Sequence, residues 1–212
     1  MRNVKVLEML NNNQIGELRA MLQDEIYEEA LKGKPDAKKR YKAMKKYFSY
    51  CDSAREALQK PCEVEIDGIK YTSFCNSYSI ALTKESVGEI ALFDTSKGNY
   101  PDVARLIRYD GDVNKIDILT VIATAKSNGY KLKKSECRYD YKHVMHYDGS
   151  YYKIGLIDAT YSIIDEGKAA IVYKKEGPKQ PLTITTNFGV CMVMPVNIEG
   201  KPEHLGLVVV EA

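Results

Sequence analysis

The spacing of apolar residues changes at Pro61, and this change constrains the fold more than any other feature of the sequence. Before Pro61, apolar side chains recur at helical spacing, as at Leu18, Leu22 and Ile26, which predicts amphipathic helices. After Pro61, apolar and polar residues alternate, as in residues 62–66 (CEVEI), which predicts β-strands. We therefore expect an α+β protein, in which a helical N-terminal region precedes antiparallel sheets with packed helices.

Turn and cap residues predict where several helices and strands begin and end. The pair Asp67-Gly68 separates two alternating segments and predicts a β-hairpin. Residues 114–128 carry apolar side chains at helical spacing, so we predict a helix that ends before Gly129. A second short helix is predicted from Asp158, acting as its N-cap, to Gly167. The other segments up to the C-terminus predict strands joined by turns.

Composition limits where the protein works and what it binds. The chain has 31 Lys and Arg residues against 29 Asp and Glu residues, so its net charge of +2 creates no general attraction to nucleic acid. No run of about 18 apolar residues is present, and the first residues lack the apolar core of a signal peptide, so we expect a cytoplasmic protein without membrane contact. Its five cysteines form no CxxC pair, which indicates buried thiols in a reducing compartment.

Motifs for catalysis or cofactor binding are missing from the sequence. It contains no GxGxxG, no Walker A motif and no GxSxG nucleophile elbow. His143 and His146 are three residues apart, and on a strand this spacing places them on opposite faces, where they cannot share a metal ion. We therefore expect no enzymatic activity, no cofactor and no metal site.

A basic run is the strongest charge feature of the chain. From Lys32 to Lys46 there are eight basic residues and one acidic residue. Two interpretations stay open: a surface that contacts the DNA backbone without reading its sequence, or a solvated face paired with the acidic helix before it. The residues predicted to contact DNA under the first interpretation are Lys38, Lys39, Arg40, Lys42, Lys45 and Lys46.

One segment near the C-terminus is apolar on both faces. In residues 190–198 (VCMVMPVNI), alternation places Met192 and Met194 on one side and Cys191 and Val193 on the other. Such a strand is either fully buried or faces a groove. Methionine side chains adapt their shape, which suits a surface that receives apolar ligands.

Three segments of the sequence resemble the bacterial DNA polymerase sliding clamp, the β subunit of the replicative polymerase. Residues 193–196 (VMPV) resemble the Met-Pro of the family's last strand. Residues 100–107 (YPDVARLI) resemble its aromatic-Pro-Asp-x-x-Arg linker between domains. Residues 75–81 (CNSYSIA) keep the spacing and the last two positions of a strand in its middle domain. The chain resembles a shortened and divergent clamp, of the kind expected in a phage or mobile element.

The resemblance implies a fold, a division into domains and a binding pocket. It implies a helical region at residues 1–61, a truncated clamp-like domain at 62–107 and a C-terminal clamp-like domain at 108–212. In the family, the three segments converge on an apolar pocket that binds short linear peptides. The corresponding pocket residues here are Cys75, Ile80, Pro101, Leu106 and Met194, with Arg105, Pro195 and Val196 at its edge.

The implied function is a non-enzymatic role in DNA replication. The partners would be a DNA polymerase or other replication and repair proteins, with contact to the duplex DNA backbone and assembly into a homo-oligomer as further expectations. An alternative is a clamp-derived interaction or regulatory module that does not encircle DNA. The two differ in assembly and in affinity for duplex DNA.

Overall fold

The structure is a computed structural model that describes residues 2–12, 14–50, 55–84, 92–132, 142–198 and 206–211. The described residues form two compact units, one up to Tyr41 and the other from Lys42 onward. The predicted domain boundaries at residues 61 and 107 stay predictions. Within the described ranges, no helix combines the length and the hydropathy needed to cross a membrane.

The N-terminal region is helical, as the apolar spacing predicts. Its helices are α1 (Arg2–Asn11), α2 (Ile15–Ala30) and α3 (Pro35–Tyr50). In the first unit, the Tyr41 phenol donates a hydrogen bond of 2.5 Å to the Asp24 carboxylate. The ring of Tyr41 also packs edge-on against Tyr27, with 5.5 Å between the ring centroids. These contacts join the start of α3 to the second half of α2.

The larger sheet belongs to the second unit. It contains seven strands in the order β1-β2-β3-β9-β8-β7-β4, and every neighbouring pair is antiparallel. In that order, the strands are Cys62–Ile66, Ile69–Cys75, Ser79–Thr83, Gly189–Val193, Leu182–Thr185, Ala170–Lys174 and Asp112–Ile116. Asp67 and Gly68 have positive φ angles of 52° and 75° between β1 and β2, so the predicted hairpin is confirmed.

A smaller sheet has three strands in the order β10-β5-β6. Its strands are β10 (Gly206–Val210), β5 (His143–Tyr147) and β6 (Ser150–Lys153). β5 and β6 form an antiparallel hairpin, whereas β10 runs parallel to β5. The expectation of antiparallel pairing therefore fails for β10 and β5, because these strands are distant in the sequence and no hairpin turn, which would require antiparallel strands, joins them.

Three further helices complete the second unit: α4 (Val103–Leu106), α5 (Ile118–Ser127) and α6 (Ile154–Ile164). Helix α6 is apolar, and ten of its eleven residues are buried. It packs on the larger sheet against β3 and β9. The last residues of α3 also belong to this core, since Tyr47 is fully buried and its hydroxyl donates a 2.8 Å hydrogen bond to the Ser79 carbonyl.

Two helix starts differ from the prediction. The helix predicted at residues 114–128 begins at Ile118, because residues 112–116 form β4 and pair with β7. The helix predicted to begin at Asp158 begins at Ile154 instead, so Asp158 lies inside α6. Asp158 is no cap: its carboxylate accepts hydrogen bonds from Lys46 Nζ at 2.6 Å and from the Tyr130 hydroxyl at 3.2 Å.

Asp117 caps α5, and this cap predicts a pH-dependent contribution to stability. Its carboxylate accepts hydrogen bonds from the Thr120 hydroxyl at 2.8 Å and from the Thr120 backbone N–H at 3.1 Å. The hydroxyl bond is the main reason why the pKa of Asp117 is lowered in the folded protein. The stabilisation is therefore complete above the unfolded pKa of about 4 and is lost as the pH falls through the lowered folded pKa. We expect Asp117→Ala to reduce Tm at pH 7 and to reduce it less at pH 2.5.

Asp117→Asn is the matched variant, because the amide keeps an acceptor for the cap but cannot ionise. We expect its stability relative to the native chain to approach equality at acid pH. Thermal unfolding at several pH values measures the Tm of both variants and of the native chain. A Tm difference for Asp117→Ala that is the same at every pH would contradict the assigned role of the carboxylate charge.

Candidate functional site

A row of side chains crosses the larger sheet from β2 to β7. Residues directly opposite one another in antiparallel strands point to the same face of a sheet. The register pairs Cys75 with Ile80, Ile80 with Met192, Met192 with Thr183, and Thr183 with Tyr173. These five side chains therefore share the face of the sheet opposite to α6.

One end of this row is covered. Cys75 and Ile80 belong to a buried apolar cluster that also contains Val103 of α4, and only 3–4% of each is exposed. Next to α4, the hydroxyl of Tyr100 donates a 3.1 Å hydrogen bond to the Ser73 carbonyl of β2. The segment around α4 therefore packs down on this part of the sheet, and Cys75 and Ile80 do not line the open part of the row.

The other end of the row is open and forms a cleft of about 440 Å³. Its floor contains Met192, Thr183 and Tyr173, side by side on β9, β8 and β7. The remaining lining residues come from the last residue of α4, from the segment after it and from the ends of β7 to β9; they are Leu106, Arg108, Asp110, Lys175, Gln180, Pro181 and Met194. We call this the linker cleft.

The linker cleft combines apolar contact area with a charged rim. Leu106 and Met194 are 45% and 40% exposed, respectively, so two apolar side chains that line the same cleft are open to solvent. Arg108, Lys175 and Asp110 supply the charge. An apolar floor with a few polar groups at its edge is typical of sites that bind small ligands or short peptides.

Tyr109 packs against the floor residue Tyr173. The two rings pack edge-on, with 5.6 Å between their centroids. Burial is the main reason why the pKa of Tyr109 is raised above its usual value. The ring of Tyr109 thus adds packing area beside the floor, although the residue is still 56% exposed.

The structure brings together two of the eight predicted pocket residues. Leu106 and Met194 line the linker cleft. Cys75 and Ile80 were expected to line it as well, but they lie in the covered part of the row, so we leave them out of the candidate site. The prediction that Met192 and Met194 share one side of their strand agrees with the cleft, which both residues line.

The other four predicted residues lie beside the cleft without lining it. Pro101 accepts the backbone hydrogen bond of Val103 at the start of α4. Arg105 is exposed, and its Nε lies 3.0 Å from a carboxylate oxygen of Asp102. Pro195 is half-buried, and Val196 N–H donates a 2.8 Å hydrogen bond to the Tyr151 carbonyl.

Sequence reasoning missed Tyr173, Thr183 and the charged rim. Their place in the site depends on the pairing of β9 with β8 and of β8 with β7, which no local pattern encodes. Alternation along β7 and β8 indicates which side chains share a face of each strand, but it does not indicate which strands are neighbours.

The basic residues predicted to contact DNA lie on α3. Lys38, Lys39, Lys42 and Lys45 are exposed, and Arg40 is half-buried. Lys46 differs, because its ammonium lies 2.6 Å from a carboxylate oxygen of Asp158 and also donates to the Asp158 carbonyl at 3.0 Å. Since an internal carboxylate neutralises the charge of Lys46, we remove this residue from the predicted DNA surface.

The histidines and cysteines are the residues to consider for a metal site or a nucleophile. In those residues, no group of three or more His, Cys, Asp or Glu side chains could hold a metal ion. Cys62, Cys75 and Cys191 are buried free thiols, and burial raises the pKa of each, for Cys75 to about 11. These three thiols stay protonated at neutral pH and are poor nucleophiles. Cys51 and Cys137 lie outside the described residues.

Comparison with known proteins gives a structural likeness only. No protein-family model matches the sequence, and no curated protein matches it. A solved chain described as a DNA polymerase III beta subunit from Eubacterium rectale is 13% identical over 76% of this chain and 63% of its own length, with a TM-score of 0.51. The DNA polymerase sliding clamp from Bacillus subtilis is 12% identical over 76% of this chain and 62% of its own, with a TM-score of 0.49.

A third solved structure, the beta subunit from DNA polymerase of Streptococcus pyogenes, is 10% identical and covers 74% of this chain, with a TM-score of 0.48. This chain thus spans less than two thirds of the length of the clamps it matches. Identities this low show the fold and nothing finer. The likeness to the Eubacterium rectale chain bears out the predicted fold class: the chain has an α+β fold like that of the bacterial DNA polymerase sliding clamps.

Proposed function

We propose that this chain is a non-enzymatic, clamp-like protein that docks short linear peptides in the linker cleft. Its partners would be a DNA polymerase or other proteins of replication and repair. The observation that carries the proposal is that two exposed apolar side chains, Leu106 and Met194, line the same cleft as the floor residue Met192. The likeness to a DNA polymerase III beta subunit supports the same reading.

The composition of the cleft favours a peptide over a small polar substrate. Leu106, Met192 and Met194 offer apolar contacts from two segments that are distant in sequence. Thioether side chains adjust to ligands of different shape, so one site can accept several related motifs. A peptide that buries one large apolar side chain there gains about 1.5–3 kcal/mol from that burial alone.

Contact with the DNA backbone is a second part of the proposal. The exposed lysines of α3 could neutralise phosphates without reading bases, as expected of a protein that follows DNA of any sequence. Acidic residues of α2 lie near the start of this surface: Glu25, Glu28 and Glu29 line a groove of the first unit together with Lys38. We therefore assign the DNA contact to Lys42 and Lys45, which follow Lys38 along α3.

The peptide site is tested by placing a charge in the cleft. We expect Met194→Arg and Leu106→Arg each to weaken binding of a fluorescein-labelled Gln-Leu-x-Leu-Phe peptide by at least about tenfold, because a guanidinium in the cleft opposes burial of an apolar anchor. Fluorescence polarisation measures the Kd. Both native side chains are substantially exposed, so we expect both variants to fold.

Val209→Arg is the matched control, because Val209 is 61% exposed on β10 and does not line the cleft. We expect this variant to keep native affinity. If Met194→Arg and Leu106→Arg bind the peptide as tightly as Val209→Arg does, the cleft is not the docking site.

The DNA contact is tested through the salt dependence of binding. We expect a fluorescent duplex oligonucleotide to bind with an affinity that falls as salt rises, and the double variant Lys42→Gln and Lys45→Gln to reduce the log–log slope by about 2. The double variant Lys126→Gln and Lys168→Gln removes the same charge elsewhere and serves as the control. A native chain with no affinity for duplex DNA would contradict this part of the proposal and favour an interaction module that does not encircle DNA.

A further inference from the structure

The first unit has a groove of its own, which is formed by helices. It has a volume of about 820 Å³ and is lined by side chains of α2, of the turn after α2 and of α3. The apolar side chains in it are Leu22 and Ile26. The charged ones are Glu25, Glu28, Glu29, Lys32 and Lys38. We call this the helical groove.

The apolar residues of the helical groove do not belong to the core of the first unit. Leu22 and Ile26 lie one turn apart on α2 and are 37% and 60% exposed. The core side chains are others, since Leu18, Leu31 and Tyr41 are buried. Further large apolar side chains of α1 and α2 are also exposed, namely Val4, Leu7, Leu10 and Ile15. Single apolar residues on a surface are common, but such a concentration on two helices indicates contact with another molecule.

The charges of the helical groove have both signs, which limits what it can bind. Glu25, Glu28 and Glu29 oppose a phosphate backbone and an anionic membrane. Lys32 Nζ lies 3.3 Å from a carboxylate oxygen of Glu29 and neutralises part of this charge, so a purely basic partner gains less. A second copy of the chain brings the same three acids and two lysines together with the same two apolar side chains. A twofold axis through the groove can then set the acids of one copy against the lysines of the other.

We propose that two copies of this chain associate through their helical grooves about a twofold axis. Leu22 and Ile26 of each copy pack against the same residues of the other copy, and the acidic side chains of one groove face the lysines of the other. Because each contact then occurs twice, a single substitution removes it from both sides of the interface. The inference does not depend on peptide docking, since the helical groove and the linker cleft share no lining residue.

Sedimentation equilibrium of the full chain tests the apolar part of the contact. We expect the native chain to exchange between monomer and dimer below about 0.1 mM, and Ile26→Ser to raise the dissociation constant at least about tenfold. Val209→Ser is the matched control, because Val209 on β10 is 61% exposed and lies outside the groove. We expect this control to keep the native dissociation constant. Circular dichroism checks that both variants keep the native helix content.

An exchange of charges tests the polar part of the contact. The variant Glu28→Lys with Glu29→Lys leaves one acid and four lysines in the groove, whereas Lys32→Glu with Lys38→Glu leaves five acids and no lysine. We expect each variant alone to be monomeric, because like charges then meet across the twofold axis. An equimolar mixture should form a heterodimer, since opposite charges meet again. The substitutions to lysine lie in the last turn of α2, and Lys38→Glu lies in the first turn of α3, where the helix dipoles favour these charges, so we expect both variants to fold.

The possible results either support this inference or overturn it. A native chain that stays monomeric up to about 0.1 mM overturns it. A dimer that is as tight in Ile26→Ser as in Val209→Ser also overturns it, because the two copies then meet elsewhere. If the two charge variants do not associate with each other, the grooves do not face one another and the inference is wrong. Weakening of the dimer in Ile26→Ser, together with a heterodimer in the mixture of charge variants, supports it. None of these results changes the proposed docking function, which is tested at the linker cleft.

Discussion

Asp148→Asn is expected to destabilise the protein by about 3 kcal/mol, because it leaves a buried ammonium without its counter-charge. The side chain of Lys174 is 1% exposed, and its Nζ lies 2.5 Å from a carboxylate oxygen of Asp148. The same Nζ donates to the carbonyls of Lys175 and Gly177 at 3.1 and 2.9 Å. Those carbonyls remain in the variant, but they supply no full negative charge.

Asparagine is the suitable replacement at this position. Asp148 has a positive φ of 42° in the turn between β5 and β6, a conformation that asparagine adopts as readily as aspartate. The substitution therefore changes the charge and leaves the turn intact. Urea unfolding of the native chain and the variant measures the free-energy difference.

The double variant Lys174→Met with Asp148→Asn is the matched control. It removes both charges and fills the site with an apolar side chain of similar length, so we expect it to recover much of the lost stability. A cost below about 1 kcal/mol for Asp148→Asn alone would show that solvent, and not the carboxylate, satisfies Lys174.

This ion pair also bears on the linker cleft. Asp148 belongs to the β5–β6 hairpin, whereas Lys174 stands between Tyr173 and Lys175, which line the cleft. A hydrogen bond also joins the β5–β6 hairpin to the lining of the cleft, since the Tyr152 hydroxyl donates to the carbonyl of the lining residue Gln180 at 2.7 Å. The smaller sheet thus holds the segment that forms one wall of the cleft, and loss of the pair is expected to weaken peptide binding as well as stability.

The parts of the fold that the sequence predicted are those set by local periodicity. Alternation and the pair Asp67-Gly68 were sufficient to predict the β1–β2 hairpin. Alternation also placed Met192 and Met194 on one side of their strand, where the cleft is found. In both cases, the physical cause of the structure lies within about ten residues of chain.

The parts that were missed depend on long-range pairing. Residues 114–116 precede the helical spacing of Ile118 and Val121 and were predicted to belong to the same helix, but the pairing of Ile116 with Ala170 makes it a strand residue. Aspartate is a common helix N-cap residue, but Asp158 is buried and its carboxylate pairs with Lys46 instead. Cys75 and Ile80 match the family pattern, yet Val103 covers them. In each case a contact across the sheet or the core overrides the local preference.

Gly111→Ala is expected to destabilise the protein by about 3 kcal/mol or more, since the new methyl group has neither a suitable backbone angle nor space. Gly111 has a φ of +108°, which side chains of L-residues rarely adopt. A Cβ atom there would overlap the backbone carbonyl of Lys174 on β7. Backbone cannot rotate away as a side chain can, so β4 would have to move from its neighbour.

Gly177→Ala separates the two causes of this cost. Gly177 has a similar φ of +102°, but a Cβ atom there would meet no other atom within 4 Å. We expect it to cost about 1–2 kcal/mol, from backbone strain alone. The difference between the two variants in urea unfolding therefore reports the close approach of Gly111 to β7.

The effect of Gly111→Ala on the cleft follows from its position. Gly111 directly follows the segment that contributes Leu106, Arg108 and Asp110 to the cleft. If the close approach to Lys174 fixes this wall, the alanine variant should bind the Gln-Leu-x-Leu-Phe peptide more weakly under conditions where it is still folded, whereas Gly177→Ala should bind it more nearly as the native chain does. Equal stability and equal peptide affinity of the two variants would mean that the wall tolerates movement at Gly111, and that the cleft is shaped by the strands of its floor instead.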